Sequence, residues 1–135
     1  MKLQSALPSL LLDRNSAPRH HRPMLIYKIF RAEEWVALRS KKATRGSAKD
    51  IEDGFVHFST AAQTEETAAK HFAGESELML LAIEAELLGD ALKWEASRGG
   101  ALFPHLYREL RIDDVHWAQP MPLENGVHRL PPEVQ

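Results

Sequence analysis

Six consecutive apolar residues, Leu78-Met79-Leu80-Leu81-Ala82-Ile83, are the feature that most restricts how this chain can fold. A strand that alternates polar and apolar residues can rest one face on solvent; one that does not alternate must be covered on both faces. The run is far short of the roughly 20 apolar residues that cross a bilayer. It therefore reads as a central, doubly covered strand, and its cover must come from the rest of the same 135 residues. A chain of this length makes one domain and buries roughly two-thirds of the surface exposed by its unfolded form. There is no cysteine, which excludes disulfide frameworks, cysteine nucleophiles, iron–sulfur clusters and cysteine zinc sites. Seventeen Lys and Arg against 19 Asp and Glu give a net charge of -2. That balance speaks against a dedicated nucleic-acid binder or an anionic-membrane binder. The expectation is a soluble, cytoplasmic domain with no membrane partner.

The elements around the run follow from local patterns. Residues 1–23 carry Pro8, Pro18 and Pro23 and little periodicity, which reads as a disordered extension, with Met24 as the natural first residue of the domain. Leu25–Phe30 alternates, with Ile26, Lys28 and Phe30 on one side and Leu25, Tyr27 and Ile29 on the other, so a strand is expected. Arg31–Arg39 reads as a short helix with Trp35 and Leu38 on one face, acidic residues early and basic residues late. Residues 40–53 read as a loop ending at the turn pair Asp53-Gly54. Phe55–Phe58 reads as a strand, and Thr60 with Gln63 as the capping box of a following helix whose Ala61, Ala68 and Phe72 make a narrow stripe. Ala91–Glu95 and Val115–Gln119 read as strands, while Leu102–Tyr107 reads as an edge or irregular strand because it contains Pro104. Residues 124–135 read as a loose tail, leaving 24–123 as the domain. Strands gather late in the chain rather than alternating with helices, which favours α+β. There is no G-x-G-x-x-G, G-K-[ST] or H-E-x-x-H.

Two segments concentrate chemically useful side chains. In Gly54-Phe55-Val56-His57-Phe58-Ser59-Thr60, strand alternation puts Phe55, His57 and Ser59 on one face, and the strand ends at a helix N-terminus. An imidazole, two hydroxyls and free amides meeting there suit a phosphate, a carboxylate or ribose hydroxyls. The competing reading makes Thr60 a cap and His57 a hydrogen-bonded structural histidine. In the second segment, Trp94-Glu95 precedes the Gly99-Gly100 loop and Phe103-Pro104-His105-Leu106-Tyr107. His105 and Tyr107 share a face, so Glu95, His105 and Tyr107 form a candidate acid–base or ribose-clamping group. Its competitor is a solvated Glu95 with Tyr107 covering the core edge. The spacing of His57, His105 and Glu95 carries no metal signature, and no metal is expected. Arg45 and Lys49 lie in the 40–53 loop, where they read first as solvated surface cations and alternatively as cations overlying a pocket.

These motifs, in this order, resemble a bacterial family of small domains of unassigned function. The resemblance rests on Ile26-Tyr27-Lys28-Ile29, Trp35, Gly54–Thr60, Trp94-Glu95 and Phe103–Tyr107, and runs from about Leu25 to about Leu123. It implies a fold similar to the ADP-ribosylation fold: two small sheets around a cleft with flanking helices, shared with ADP-ribosyltransferases and RNA 2′-phosphotransferases. It also implies a nucleotide- or NAD-like ligand. By that likeness His57 meets a ribose, with Ser59 and Thr60 beside it. Tyr107 stacks on a ring, and Glu95 supports an oxocarbenium-like centre, with Glu109 as the alternative glutamate. Phe58 stands where such enzymes commonly have glycine, and the order of Glu95 and Tyr107 is inverted. Three readings stay open: ADP-ribosyl or glycosyl transfer at His57, Glu95, His105 and Tyr107; nucleotide or metabolite binding without turnover; or a structural or interaction domain with no ligand, in which His57 and His105 would lie far apart.

Overall fold

The apolar run lies in the middle strand of a three-stranded antiparallel sheet, with Leu80, Leu81, Ala82 and Ile83 all fully buried. In this computed structural model residues 23–97 and 99–134 are described; all of the expected extension except Pro23 lies outside them. In chain order the elements are β1 (Leu25–Phe30), α1 (Ala32–Lys41), β2 (Ala43–Thr44), α2 (Ala48–Asp53), β3 (Val56–His57) and α3 (Ala61–His71). They continue with β4 (Leu78–Glu84), a 3-10 segment (Ala85–Ala91), β5 (Leu92–Ala96), β6 (Leu102–Leu106), β7 (Leu110–Arg111), a 3-10 turn (Ile112–Asp114), β8 (Val115–Met121), β9 (Leu123–Glu124) and β10 (Val127–His128). The result is a mixed α+β fold of small antiparallel sheets with orders β1-β4-β8, β3-β6-β5, β2-β7 and β9-β10.

The alternation of β1 decides what lies on each side of the first sheet. Ile26 and Phe30 enter one core cluster with Leu38, Val56, Leu81, Ile83, Leu106 and Leu110. Tyr27 and Ile29 enter a second with Ala68, Leu78, Leu80 and Met121. β4 supplies alternate residues to both, which is why its sequence shows no polar face. Helix α3 covers the second cluster through its small side chains: Ala68 is buried, and Ala61 and Phe72 pack beside it. Its start is the capping box read in the sequence, with the Thr60 hydroxyl accepting from the Gln63 amide at 3.3 Å and the Gln63 carboxamide oxygen accepting from the Thr60 amide at 2.9 Å. Among the described residues no helix is long and apolar enough to cross a membrane.

Three local expectations give way. The 40–53 segment is not a plain loop: it holds β2 and the helix α2, which is capped by Ser47 with Asp50 as the acidic third residue. Aspartate there does what glutamate does in the commoner capping box. Pro104 does not make an edge strand, for β6 is the middle strand of its sheet. The Phe58 amide donates to the Pro104 carbonyl at 3.0 Å, and the return bond of that pair is the one proline cannot make. The ladder between β3 and β6 therefore stops there, and the chain turns away so that Ser59 pairs with Tyr27 of β1. Residues 124–135 are not loose as far as they are described. The β9-β10 hairpin turns through Asn125 and Gly126, both at positive φ. His128 is buried and its Nε2 lies 2.7 Å from the Glu75 carbonyl, while Leu130 and Val134 pack on the second cluster.

Candidate functional site

Lys28 is a lysine in a core-facing register, set between Ile26 and Phe30 on β1, and only 7% of it is exposed. A charge in that position requires a partner and hydrogen bonds. Its ammonium donates to the His57 carbonyl at 2.8 Å and pairs with the Asp50 carboxylate at 2.6 Å. Burial pulls the Lys28 pKa below the ordinary lysine value, against the attraction of Asp50. Asp50 is itself 1% exposed. One of its oxygens accepts from the Ser47 amide (2.9 Å) besides Lys28; the other faces the His57 amide (3.1 Å) and His57 Nδ1 (2.5 Å). Burial alone would raise the Asp50 pKa, but the His57 hydrogen bond and the Lys28 charge hold it at about 2. Gly46 makes room for this carboxylate: a Cβ built there would lie 2.1 Å from Asp50 Oδ2.

His57 at the end of β3 is thereby tied to the core through Asp50, and its Nε2 lies 3.0 Å from Asp53 on the last turn of α2. Across the sheet it is paired with His105 of β6, the two rings meeting edge to face at 5.3 Å. His105 is 7% exposed, and its Nδ1 is 2.7 Å from Glu95 Oε1 on the neighbouring strand β5. The same Glu95 oxygen accepts from the Tyr107 hydroxyl at 2.8 Å. The hydrogen bonds from His105 and Tyr107 lower the Glu95 pKa, and the bond to Glu95 raises that of Tyr107. Phe55 ties the halves together, its ring 4.2 Å from His105, 4.6 Å from His57 and 5.1 Å from Tyr107 between centroids.

His57, Glu95, His105 and Tyr107, drawn from two segments far apart in sequence, thus form one contiguous cluster. Ser59 and Thr60 do not offer their hydroxyls to it. Ser59 is buried with its Oγ 2.9 Å from that of Thr67, and Thr60 is engaged in capping α3. Glu109 stands apart from Glu95. It lines an open hollow of about 180 Å³ next to the cluster, which Phe55 and Tyr107 wall on the cluster side and Arg45 and Arg108 also border. Lys49 pairs instead with Asp53 at 3.6 Å. Among the described residues no group of three or more His, Asp and Glu side chains is placed to hold a metal ion.

The sequence reading missed Lys28, Asp50, Asp53 and the central role of Phe55. Two signals point to the first pair. A lysine stands between two core residues at period two, and Ser47-x-x-Asp50 is a capping box with aspartate in the third helical position.

The chain matches the family model described as "Protein of unknown function (DUF952)" over residues 29–118. It belongs to that family. It is also similar to a crystal structure of protein CC0527 from Caulobacter crescentus, with 52% identity and a TM-score of 0.75 over 78% of this chain and 93% of that one. The solution NMR structure of CC0527 is 53% identical, with a TM-score of 0.70, over 76% of this chain and 90% of that one. No curated protein matches the chain.

Proposed function

We propose that the protein binds a nucleotide-like ligand against the Phe55–Tyr107 face, with the two histidines and Glu95 behind it, in an ADP-ribosylation-like arrangement. The observation that carries this reading is the convergence of His57, His105, Glu95 and Tyr107 into one hydrogen-bonded and ring-stacked group beside an open hollow. His57 is held by Asp50, and His105 and Tyr107 by Glu95, so the side chains of the group are oriented before any ligand arrives, which suits a binding site. Two neighbouring small sheets, β1-β4-β8 and β3-β6-β5, support the fold analogy. The engagement of the Ser59 and Thr60 hydroxyls within the protein favours binding without turnover over a ribose clamp that uses them.

A second reading, glycosyl or ADP-ribosyl transfer from NAD, is favoured by one feature. Glu95 is an oriented carboxylate with a lowered pKa, suited to stabilising an oxocarbenium-like centre. In that reaction the bond from the ribose anomeric carbon to nicotinamide breaks, nicotinamide leaves with the electron pair, and an acceptor oxygen or nitrogen adds to the same carbon and loses its proton.

Calorimetry with AMP, ADP-ribose and NAD tests both readings. Saturable binding that Tyr107→Ala abolishes, with unchanged melting, supports the site. Absence of binding by all three, or binding indifferent to Tyr107→Ala, refutes it. Nicotinamide release abolished in Glu95→Gln would establish transfer; binding without release establishes the binding module.

A further inference from the structure

β5 is the outer strand of the sheet β3-β6-β5, and among the described residues no strand pairs with its other side. Its bonds to β6 fix which backbone groups face outward. The Tyr107 amide donates to the Ala91 carbonyl at 2.8 Å and the Ser97 amide to the Ala101 carbonyl at 2.9 Å. Antiparallel pairing alternates bonded and unbonded positions, so Lys93 and Glu95 bond to β6 while Leu92, Trp94 and Ala96 point their amides and carbonyls away from it. Trp94 lies opposite Pro104, which has no amide to offer. The Leu92 amide is taken by the Gly89 carbonyl. The amides of Trp94 and Ala96 and the carbonyls of Leu92 and Trp94 have no partner among the described residues. The side chains of this edge divide by face. Lys93 and Glu95 lie on the face of the cluster, with His105. Leu92 and Trp94 lie on the core face, where Leu92 packs on the first cluster but Trp94 is exposed, as are Met24 and Leu102. A hollow of about 240 Å³ lined by Met24, Leu92 and Trp94 opens beside the indole. The strand carries neither the proline nor the bulge that commonly closes such an edge.

We infer that a second copy of this chain docks on that edge, β5 antiparallel to β5, about a two-fold axis that sets Trp94 opposite Trp94. The two Trp94 residues then exchange amide and carbonyl bonds, and each Ala96 amide reaches the opposite Leu92 carbonyl. The charges choose the register. With Trp94 on the axis, each Lys93 faces the partner's Glu95, at about 4.5 Å between Cα atoms as in unbonded antiparallel pairs. Sliding the strands to the next register that keeps the faces sets Lys93 on Lys93 or Glu95 on Glu95, and like charges directly opposite are destabilising. The same pattern favours a second copy over an unrelated strand, because Lys93-Trp94-Glu95 is its own complement when reversed. On the core face the two indoles stand side by side, each within reach of the hollow beside the other. On the cluster face the sheet runs on from one copy into the next, and each Glu95 gains an ammonium. Its Oε1 already accepts from Tyr107 and meets His105, while Oε2 is left for the partner's Lys93. The second copy thus completes the outer rim of the candidate site, whatever that site binds.

Sedimentation velocity on the full chain from about 10 μM to about 500 μM tests this, a span that covers weak specific interfaces. Expected is a monomer–dimer equilibrium, with hydrogen exchange at the Trp94 amide slowing as the dimer fraction rises. Lys93→Glu and Glu95→Lys should each weaken self-association by about tenfold or more, because each sets like charges opposite one another on both sides of the axis. Mixing the two variants should restore association, since every pair across the axis is then opposite in sign. Ala96→Pro removes an outward amide, keeps the charges and the bonds to β6, and should weaken association as well. It carries the test with Lys93→Glu if Glu95→Lys lowers the melting temperature by releasing His105 and Tyr107. A chain that stays monomeric over the whole range overturns the inference. So does a dimer indifferent to both Lys93→Glu and Ala96→Pro, or a mixture of the two folded charge variants that stays monomeric. None of these results bears on whether the cluster binds a nucleotide.

Discussion

Replacing Lys28 with methionine separates charge from shape at the anchor of the site. Methionine keeps the apolar stem that lies between Ile26 and Phe30 and removes the ammonium. Asp50 is then left buried with a negative charge whose closest cation is gone, and the His57 carbonyl loses its 2.8 Å donor. Removing one member of a buried ion pair costs about 3–5 kcal/mol. At a domain of this length, about 4 °C of melting temperature accompanies each kcal/mol, so a fall of about 12–20 °C is expected. The pH dependence identifies the cause. In the wild type, Asp50 has its folded pKa depressed from 3.8 to about 2. Its stabilisation is therefore complete above pH 3.8 and is lost as pH falls through 2, and it amounts to roughly 2–3 kcal/mol at about 1.4 kcal/mol per pKa unit. Without Lys28, burial favours the protonated carboxyl and raises that folded pKa, so acid relieves the variant sooner than it harms the wild type. Urea unfolding at pH 7 and pH 3 should show the gap between the two proteins narrowing with acid. A loss below about 1 kcal/mol, or a gap independent of pH, would refute the reasoning that Lys28 is held there by Asp50.

Two further perturbations probe the same architecture. Gly46→Ala should destabilise by more than about 2 kcal/mol, because Gly46 has φ +100° and a Cβ would strike the Asp50 carboxylate; thermal unfolding within about 2 °C of wild type would show that the loop can shift aside. The Tyr107 phenol should ionise above the usual tyrosine range owing to its bond to Glu95, and the ultraviolet difference titration between wild type and Tyr107→Phe should show that midpoint falling in Glu95→Gln, whereas an unmoved midpoint means the hydroxyl does not engage Glu95 in solution.

What could be read from the sequence followed periodicity and local caps. The alternation of β1, the unbroken apolar run of β4 and the Thr60–Gln63 box are each encoded within a few residues, and each element formed where expected. The pairing of His57 with His105 was also legible in part, since two strands carrying chemistry on alternate residues can share a face. What was not legible depended on register between distant segments. Pro104 excludes a ladder bond on one side only, and which side faces a neighbour is decided by how β3 ends against β1. The partner of Lys28 lies on α2, whose six residues carry too little apolar periodicity to announce a helix. The tail gives little local signal because its order comes from His128 and Leu130 meeting residues that precede them by dozens of positions.

The two halves of the cluster are secured in different ways, and this bears on how a ligand would meet them. His57 is held by a buried carboxylate whose hydrogen-bonding capacity is filled by Lys28, Ser47 and His57 itself. Moving that ring means breaking its hydrogen bond to a carboxylate that is itself sealed from water, so His57 is the fixed reference of the site. His105 is also buried, but its anchor Glu95 is 41% exposed at the side chain, and so is half of Tyr107. Those bonds exchange readily with water, and solvent weakens their pull. A ligand approaching the Phe55–Tyr107 face therefore meets a rigid inner imidazole and an adjustable outer rim. Binding can reorient Tyr107 and Glu95 at small expense while Phe55 and the histidines keep their places. The prediction for such a division is a split in substitution effects: changes at Lys28 and Asp50 move stability first and affinity only through it, whereas changes at Glu95 and Tyr107 move affinity at nearly constant stability. Unfolding and calorimetric titration on the four variants decide the matter, and a loss of stability on Tyr107→Phe as large as that on Lys28→Met would show the rim to be as rigid as the core.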